Sequence, residues 1–373
     1  MSGLPDWAYA AAMTALPACG SSTVFGFLLT HDAPEAFDRA VARAEEKLGR
    51  PQVGDGLVEK MYEQCTIAGI EVISLRDARF PMIVAGHPQP CGVLFVRGDI
   101  DVLAMRRVGV VGTRTPTPSG VYTAREIGEG LAHAGVAVVS GLAKGIDGAT
   151  HDGMRPVVDA RGAAAGRPIA VVGSGPDVMY PKSNAALWEW VCAEGVLLSE
   201  HGPGVSAEPH HFPHRNRIIA ALSEVVVVVE SRAKGGSMST VRQAIERQRD
   251  VLAVPGSPRV ASSAGTNLLI QQGCGVVTCA ADILSALSLD HSRSDAQHCD
   301  ARPAPEPRDI PTLEACSHGP VTLDHLLIST GLDLAALATA LGRLEAAGWV
   351  MEDAGWWEAL LLRRGRHTGD CIS

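Results

Sequence analysis

Between Val108 and Thr278 one unit recurs: a short apolar, β-rich run, a glycine-rich turn, then a stretch with helical spacing. The run "VGVVG" precedes "SGVYTAREIGEGLAHAG", "VAVVSG" precedes "AKGIDGATHDGM", and "PIAVVG" precedes "SNAALWEWVCAEG". Further on, "VVVVVE" precedes "GGSMSTVRQAIERQ", and "DVLAVPG" precedes "GTNLLIQQG". Strands written as continuous apolar runs must be buried on both faces, and a helix after each strand supplies the cover. The pattern predicts an α/β core built on an extended Rossmann-like parallel sheet. Within it, "RPVVDARGAAAGRP" (155–168) reads as an inserted basic loop near the ligand edge.

The flanks read differently. Residues 1–70 form a small, mostly helical N-terminal domain, and the core spans 71–289. "DHSRSDAQHCDARPAPEPRDIP" (290–311) is a polar, Pro-rich linker. Residues 312–365 read as three helices and a β-hairpin, a winged helix, with Leu334, Leu337, Leu341 and Leu344 at helical spacing. In the chain's 373 residues, 46% hydrophobic and 20% charged, no apolar run approaches the roughly 20 residues of a membrane helix. The N-terminus has no basic segment before Arg39, so a cytoplasmic protein is expected. Nine cysteines with no C-x-x-C pair argue against a disulfide framework and a cysteine-based zinc site. "HGPGVSAEPHHFPHRNR" carries His201, His210, His211 and His214, but only His210 and His214 have i,i+4 spacing and prolines interrupt it. No metal or resident cofactor is expected from it.

Net charge is −9, which taken alone disfavours a nucleic-acid partner. The charge is uneven. Residues 1–100 carry 8 basic against 12 acidic side chains and residues 261–373 carry 7 against 14, whereas residues 101–260 carry 17 against 15. The middle third is the positive one, and its glycine-rich turns are polar and basic. In an open α/β sheet those turns gather at the carboxyl ends of the strands, where backbone N–H groups meet anions. Gly112, Thr113 and Arg114 end the first strand, and neither G-x-G-x-x-G nor a Walker A loop follows, which disfavours a dinucleotide dehydrogenase. The second turn supplies Ser140, Gly141, Lys144, Gly145 and Asp147. Arg215, Asn216 and Arg217 are expected at a helix start, where basic side chains oppose the helix dipole unless an anion compensates. Lys234, Gly236, Ser237, Ser239 and Thr240 make a phosphate-loop-like turn at another helix start.

These segments occur in a telling order. "GTR", "SGLAKGIDGATH", "AVVGSGPDVMYP", "LLSEHGPG", "FPHRNRIIAALSEVVVVVES", "KGGSMSTVRQA", "AVPG" and "GTNLLIQQG" follow "RFP" (79–81) and "LFVRGD" (94–99). The series closely resembles the DNA-processing protein A (DprA/Smf) family over about residues 70–280. The resemblance implies a single-stranded DNA-binding protein of natural transformation. Such a protein shields incoming strands, helps load the RecA recombinase, works as a homodimer and has no established catalytic turnover. It also places Arg114, Lys144, Arg215, Asn216 and Arg217 in the family's DNA pocket, and Lys234, Gly236 and Ser237 in its Ser/Gly loop.

Departures are local. Thr113 stands where the family commonly has Ser, and Lys144 where it has Arg, which keeps the charge but loses the bidentate fork. A tyrosine often found after the first Gly loop is absent, with Ser119 before Gly120. In "LPACGSS" (16–22) Ala18 replaces one glycine of the family's helical hairpin and Gly20 remains. Arg343 is the one basic residue of 333–350, so the winged helix reads as a protein contact or lid rather than a groove reader. An alternative reading keeps the same sheet edge for a nucleotide-binding or nucleotide-hydrolysing protein, with Asp147, Glu200 and Glu230 as candidate general bases. A third treats the acidic ends as protein-interaction surfaces.

Overall fold

The computed structural model describes residues 3–49, 51–86, 89–287, 302–317 and 319–360. Most of the expected linker (290–301) and the end of the expected winged helix (361–365) lie outside them. The chain divides into two compact units, Met1–Ser294 and Asp295–Ser373.

The first unit opens with α1 (Asp6–Ala15), α2 (Ser21–Thr30), α3 (Ala33–Leu48) and α4 (Leu57–Ala68). α3 shows why the boundaries fall where they do. Its Asp32 carboxylate accepts from Glu35 N at 2.9 Å, and Gly49 closes it in the left-handed region at φ 62°. Between α1 and α2, Ala18 itself takes φ 63°, the conformation a glycine would suit. Met13, Leu28, Phe37 and Met61 pack together with Val72 of β1 (Glu71–Ser74) and with Val93 and Phe95 of β2 (Val93–Gly98). The helices therefore share a core with one edge of the sheet.

The repeating units then follow as β3 (Arg107–Val111), α5 (Pro118–His133), β4 (Ala137–Ser140), α6 (Ile146–Arg161) and β5 (Pro168–Val171). After these come α7 (Ala185–Glu194), β6 (Val196–Ser199), α8 (His211–Leu222), β7 (Val225–Val228) and α9 (Ser237–Glu246). The last are β8 (Asp250–Ala253), α10 (Ala264–Gln271), β9 (Gly275–Val276) and α11 (Ala280–Ala286). The nine strands lie in the order β1-β2-β6-β5-β4-β3-β7-β8-β9. β3 to β9 run parallel, as the apolar runs require, while β2 joins β6 antiparallel with Phe95 opposite Ser199, and β1 joins β2 antiparallel. That hairpin, with no crossover helix, makes the sheet mixed rather than wholly parallel. Val138 and Val139 of β4 fall into the cores on opposite faces, so both faces are covered.

The segment 155–168 is not a loop at the ligand edge. α6 continues to Arg161 through Pro156, and a single 3-10 turn at Gly162–Ala164 leads into the amino end of β5, opposite the strands' carboxyl ends. Val157 and Val158 are 3% and 1% exposed, and their burial outweighs the missing N–H of Pro156.

The second unit contains α12 (Ile310–Ser317), β10 (Val321–Thr322), α13 (Leu323–Thr330), α14 (Leu334–Ala346), β11 (Val350–Asp353) and β12 (Trp356–Ala359). Its sheet order is β10-β12-β11, a winged helix. Leu337, Leu341 and Leu344 are buried, but Leu334 is 57% exposed because it is the first residue of α14 and precedes the inward-facing stripe. The end of the expected linker belongs to this unit. Arg302 lies 3.8 Å from the centre of the Trp349 ring, and the Arg343 guanidinium holds the buried Asp309 carboxyl below its usual range. Among the described residues, no single helix is long and apolar enough to cross a membrane.

One buried side chain makes the core sensitive to acid. His151 on α6 has no exposure, its Nε2–H donates to Val138 O at 3.3 Å, and its Nδ1 has no partner. Burial favours the neutral ring and pulls its pKa from 6.5 down to about 4. The unfolded chain therefore binds a proton that the folded chain refuses, so stability falls as pH drops from about 6.5 toward 4. Between pH 7 and pH 5 this histidine alone removes about 2 kcal/mol. Urea midpoints at the two pH values should fall further for wild type than for His151→Leu, and equal losses in both would refute the assignment.

Candidate functional site

β3 is flanked by β4 on one side and β7 on the other, so the connections that follow β3 and β7 leave the sheet in opposite directions. Such a switch point opens a crevice at the carboxyl edge. A cavity of about 810 Å³ lies there. Gly112, Thr113, Arg114 and Thr115 line it from the turn after β3, and Arg232, Gly235, Gly236, Ser237, Ser239 and Thr240 from the turn after β7. Arg215 and Asn216 reach it from α8, with Phe212, Pro209 and Ala207 before them, and Tyr180 and Asp147 complete the wall.

Close packing sets the backbone here. A Cβ on Gly112 would lie 2.5 Å from the Ile146 side chain, and one on Gly145, at φ 85°, would lie 2.4 Å from Thr113 O. Only glycine lets these two turns approach each other. Asp147 is buried at the floor, where its carboxylate accepts from Gly141 N at 3.1 Å and from the Ala143 and Gly112 amides. Burial raises its pKa above the usual carboxylate range, against the opposing pull of Arg215 and those amides. Arg215 is 6% exposed and donates to Val171 O, and burial draws its pKa down to about 10. A Cβ on Gly141 would sit 1.8 Å from the Arg215 guanidinium, so that glycine makes room for the arginine.

Above this floor the wall is basic and aromatic. The Arg114 guanidinium lies 4.7 Å from the centre of the Phe212 ring, and Tyr180, 44% exposed, lies 5.6 Å from Phe212 by ring centres. Across the cavity α9 begins at Ser237, whose hydroxyl donates to Ser231 Oγ at 2.8 Å, and Ser239 and Thr240 follow in its first turn. A helix start with hydroxyls and nearby guanidinium groups is suited to phosphate oxygens, and an exposed aromatic face such as that of Tyr180 is suited to bases.

The fold thus brings Gly112, Thr113, Arg114, Arg215, Asn216, Gly236 and Ser237 around one cavity. Lys144 and Lys234 do not line it but stand exposed beside Ala143 and Gly235, which do. Ser140 is wholly buried and donates to Val110 O at 2.6 Å, so with Gly141 and Gly145 it shapes the turn. The arginines of α8 depart from expectation. α8 begins at His211, so Arg215, Asn216 and Arg217 fall in its second turn, beyond the reach of the N-terminal dipole. Arg217 is absent from the cavity lining and is paired with Glu200, the two side chains being 3% and 9% exposed. Arg232, Phe212 and Tyr180 escaped the motif reading. Arg232 is displaced from the glycine-hydroxyl pattern by two residues, Tyr180 comes from a loop without periodicity, and Phe212 sits in the first turn of α8, whose start the pattern does not reveal.

Comparison with known proteins identifies the family. Residues 71–288 match the model of the family described as DNA recombination-mediator protein A, and residues 299–355 match the DprA winged helix domain. The chain is 41% identical over 234 residues to DNA processing protein DprA of Streptococcus pneumoniae, covering 63% of this chain and 78% of that one. The X-ray structure of DprA from Streptococcus pneumoniae superposes with a TM-score of 0.60 at 30% identity, covering 76% of this chain and 98% of that one. The structure describing the single-stranded DNA binding mode of DNA processing protein A from Helicobacter pylori superposes with a TM-score of 0.52 at 26% identity, covering 59% and 97%. With both units matched, and the family's model spanning more than half of its length, this chain belongs to the DNA-processing protein A (DprA/Smf) family.

Proposed function

We propose that the cavity at the β3/β7 switch point binds single-stranded DNA without regard to sequence, and that the chain mediates recombination by loading the RecA recombinase onto strands it protects. One observation carries the reading: Arg114, Arg215 and Arg232 share a single open cavity with the first turn of α9 and the rings of Phe212 and Tyr180. Basic groups and helix amides grip a backbone of any sequence. The rings need bases that are already unstacked, which a duplex withholds. Tyr180 and Phe212 offer stacking faces in a chain that lacks the tyrosine after the first Gly loop. Lys144 and Lys234, exposed at the flanks, extend the positive path.

The carboxylates considered for hydrolysis are otherwise engaged. Asp147 accepts from buried amides beside Arg215, Glu200 holds Arg217, and Glu230 accepts from Thr117 N at 3.0 Å and from the Thr117 hydroxyl. A binding protein without turnover fits these assignments better than a hydrolase. The same proposal includes a cytoplasmic homodimer acting on strands taken up in natural transformation.

The direct test is fluorescence anisotropy of a labelled poly-dT oligonucleotide at two salt concentrations, with an equal-length duplex as competitor. Tight, salt-sensitive binding that the duplex competes poorly is expected. Equal competition by the duplex, or no binding at low salt, would refute the reading. Recombinase loading is read separately, as faster RecA assembly on oligonucleotides coated with a single-strand-binding protein.

A further inference from the structure

We propose that Glu208, His210 and His211 form a binding site for a divalent first-row metal ion, with Zn²⁺ the best-matched species. Among the described residues, these three place one donor atom each within 4.8 Å of one another. The group forms where the loop after β6 turns through Pro209 into α8, so its members do not share a helix face. Spacing rules for helical ligands therefore pass over it.

The best-held member is His211. It is 8% exposed, and its Nδ1 lies 2.9 Å from Gly173 O. The Glu208 backbone N also lies 3.4 Å from this nitrogen, but the shorter contact to the carbonyl assigns the proton to Nδ1, which leaves Nε2 with the lone pair. A peptide carbonyl behind an imidazole is the support that orients metal-binding histidines. His201 stacks on the same ring at 3.8 Å between centres, with the planes 26° apart, so the ring is fixed from a second direction. His210 Nδ1 lies 3.4 Å from a Glu208 carboxylate oxygen. Two imidazoles and one carboxylate are a donor set that Zn²⁺ takes in sites with three protein ligands, and a further position stays open to water or an anion oxygen. Without a thiolate the same set also accepts Co²⁺ and Ni²⁺. Pro209 and Phe212, the neighbours of these ligands in sequence, line the cavity described above, so the ion sits at its rim.

Calorimetric titration of Zn²⁺ into the full chain, stripped with EDTA and dialysed, tests the site without reference to DNA. One equivalent should bind with micromolar affinity or better. Glu208→Gln and His210→Ala should each weaken that binding at least about tenfold. Both side chains are largely exposed, at 60% and 67%, so the metal-free Tm of each variant should match wild type. That match separates a lost ligand from a lost fold. His214→Ala, exposed one turn further along α8 and outside the group, should bind as wild type. The Co²⁺ form should show d–d absorption without a thiolate charge-transfer band. Wild-type affinity in both ligand variants, a thiolate band, or no saturable uptake by the unmodified chain would each overturn the proposal.

Discussion

Replacing Arg217 by alanine will destabilise the folded chain by about 3–5 kcal/mol, whereas replacing Arg114, which also lies in a family motif, will leave stability within about 1 kcal/mol. The difference is one of burial. Arg217 and Glu200 are 3% and 9% exposed and paired with each other, so truncating the arginine strands a carboxylate in a site that water does not reach. The Nε of Arg217 already has no partner, which shows how little polar company this part of the core supplies. Arg114 is exposed, and its contact within the chain is the face of the Phe212 ring. Urea unfolding followed by circular dichroism reads the first effect as a large drop in midpoint. Strand affinity, measured on Arg217→Ala protein at a temperature where it remains folded, should stay within about threefold of wild type. An Arg217→Ala protein with an unchanged midpoint, or one that stays folded and loses its strand, would assign Arg217 to the proposed strand-binding site.

The "RNR" segment shows how far residue pattern leads and where it stops. Each run of valines was legible as a strand because burial on both faces leaves no polar alternation to misread, and Val225–Val228 is the clearest case. The winged helix was legible from the stripe Leu337, Leu341 and Leu344. The start of α8 was not, because His210, His211 and Pro213 mask it, and a boundary four residues early moves both arginines into the second turn, where Arg215 lines the cavity and Arg217 is buried against Glu200. Arg232 was missed for a three-dimensional reason. Gly235 N donates to Arg232 O at 2.9 Å, and this turn folds the loop so that Arg232 lines the cavity while Lys234 stands outside the lining. Over 155–161 the composition suggests a loop, while Val157 and Val158 decide in favour of a helix through contacts that the local sequence does not reveal.

Because Arg232 and Arg114 enter the cavity from opposite sides of the switch point, their joint removal should produce the largest loss of binding that leaves the fold intact. Each guanidinium that meets a phosphate is worth about 1.5–3 kcal/mol, or at least about tenfold in affinity. The two sit on separate loops, so their effects should nearly add, to about 100-fold for Arg114→Ala/Arg232→Ala. The salt dependence carries more information than the loss itself. Each phosphate contact on a single strand contributes a slope of about −0.7 in log K against log salt. Removing two contacts should therefore flatten the slope by about 1.4, while a variant that had merely loosened the fold would bind less at every salt with its slope unchanged. Phe212→Ala provides the complementary case. It removes a ring and no charge, so affinity should fall with the slope preserved. If the double arginine variant keeps the wild-type slope, the backbone of the strand does not run between the β3 and β7 turns, and the cavity's ligand is something other than a nucleic-acid chain.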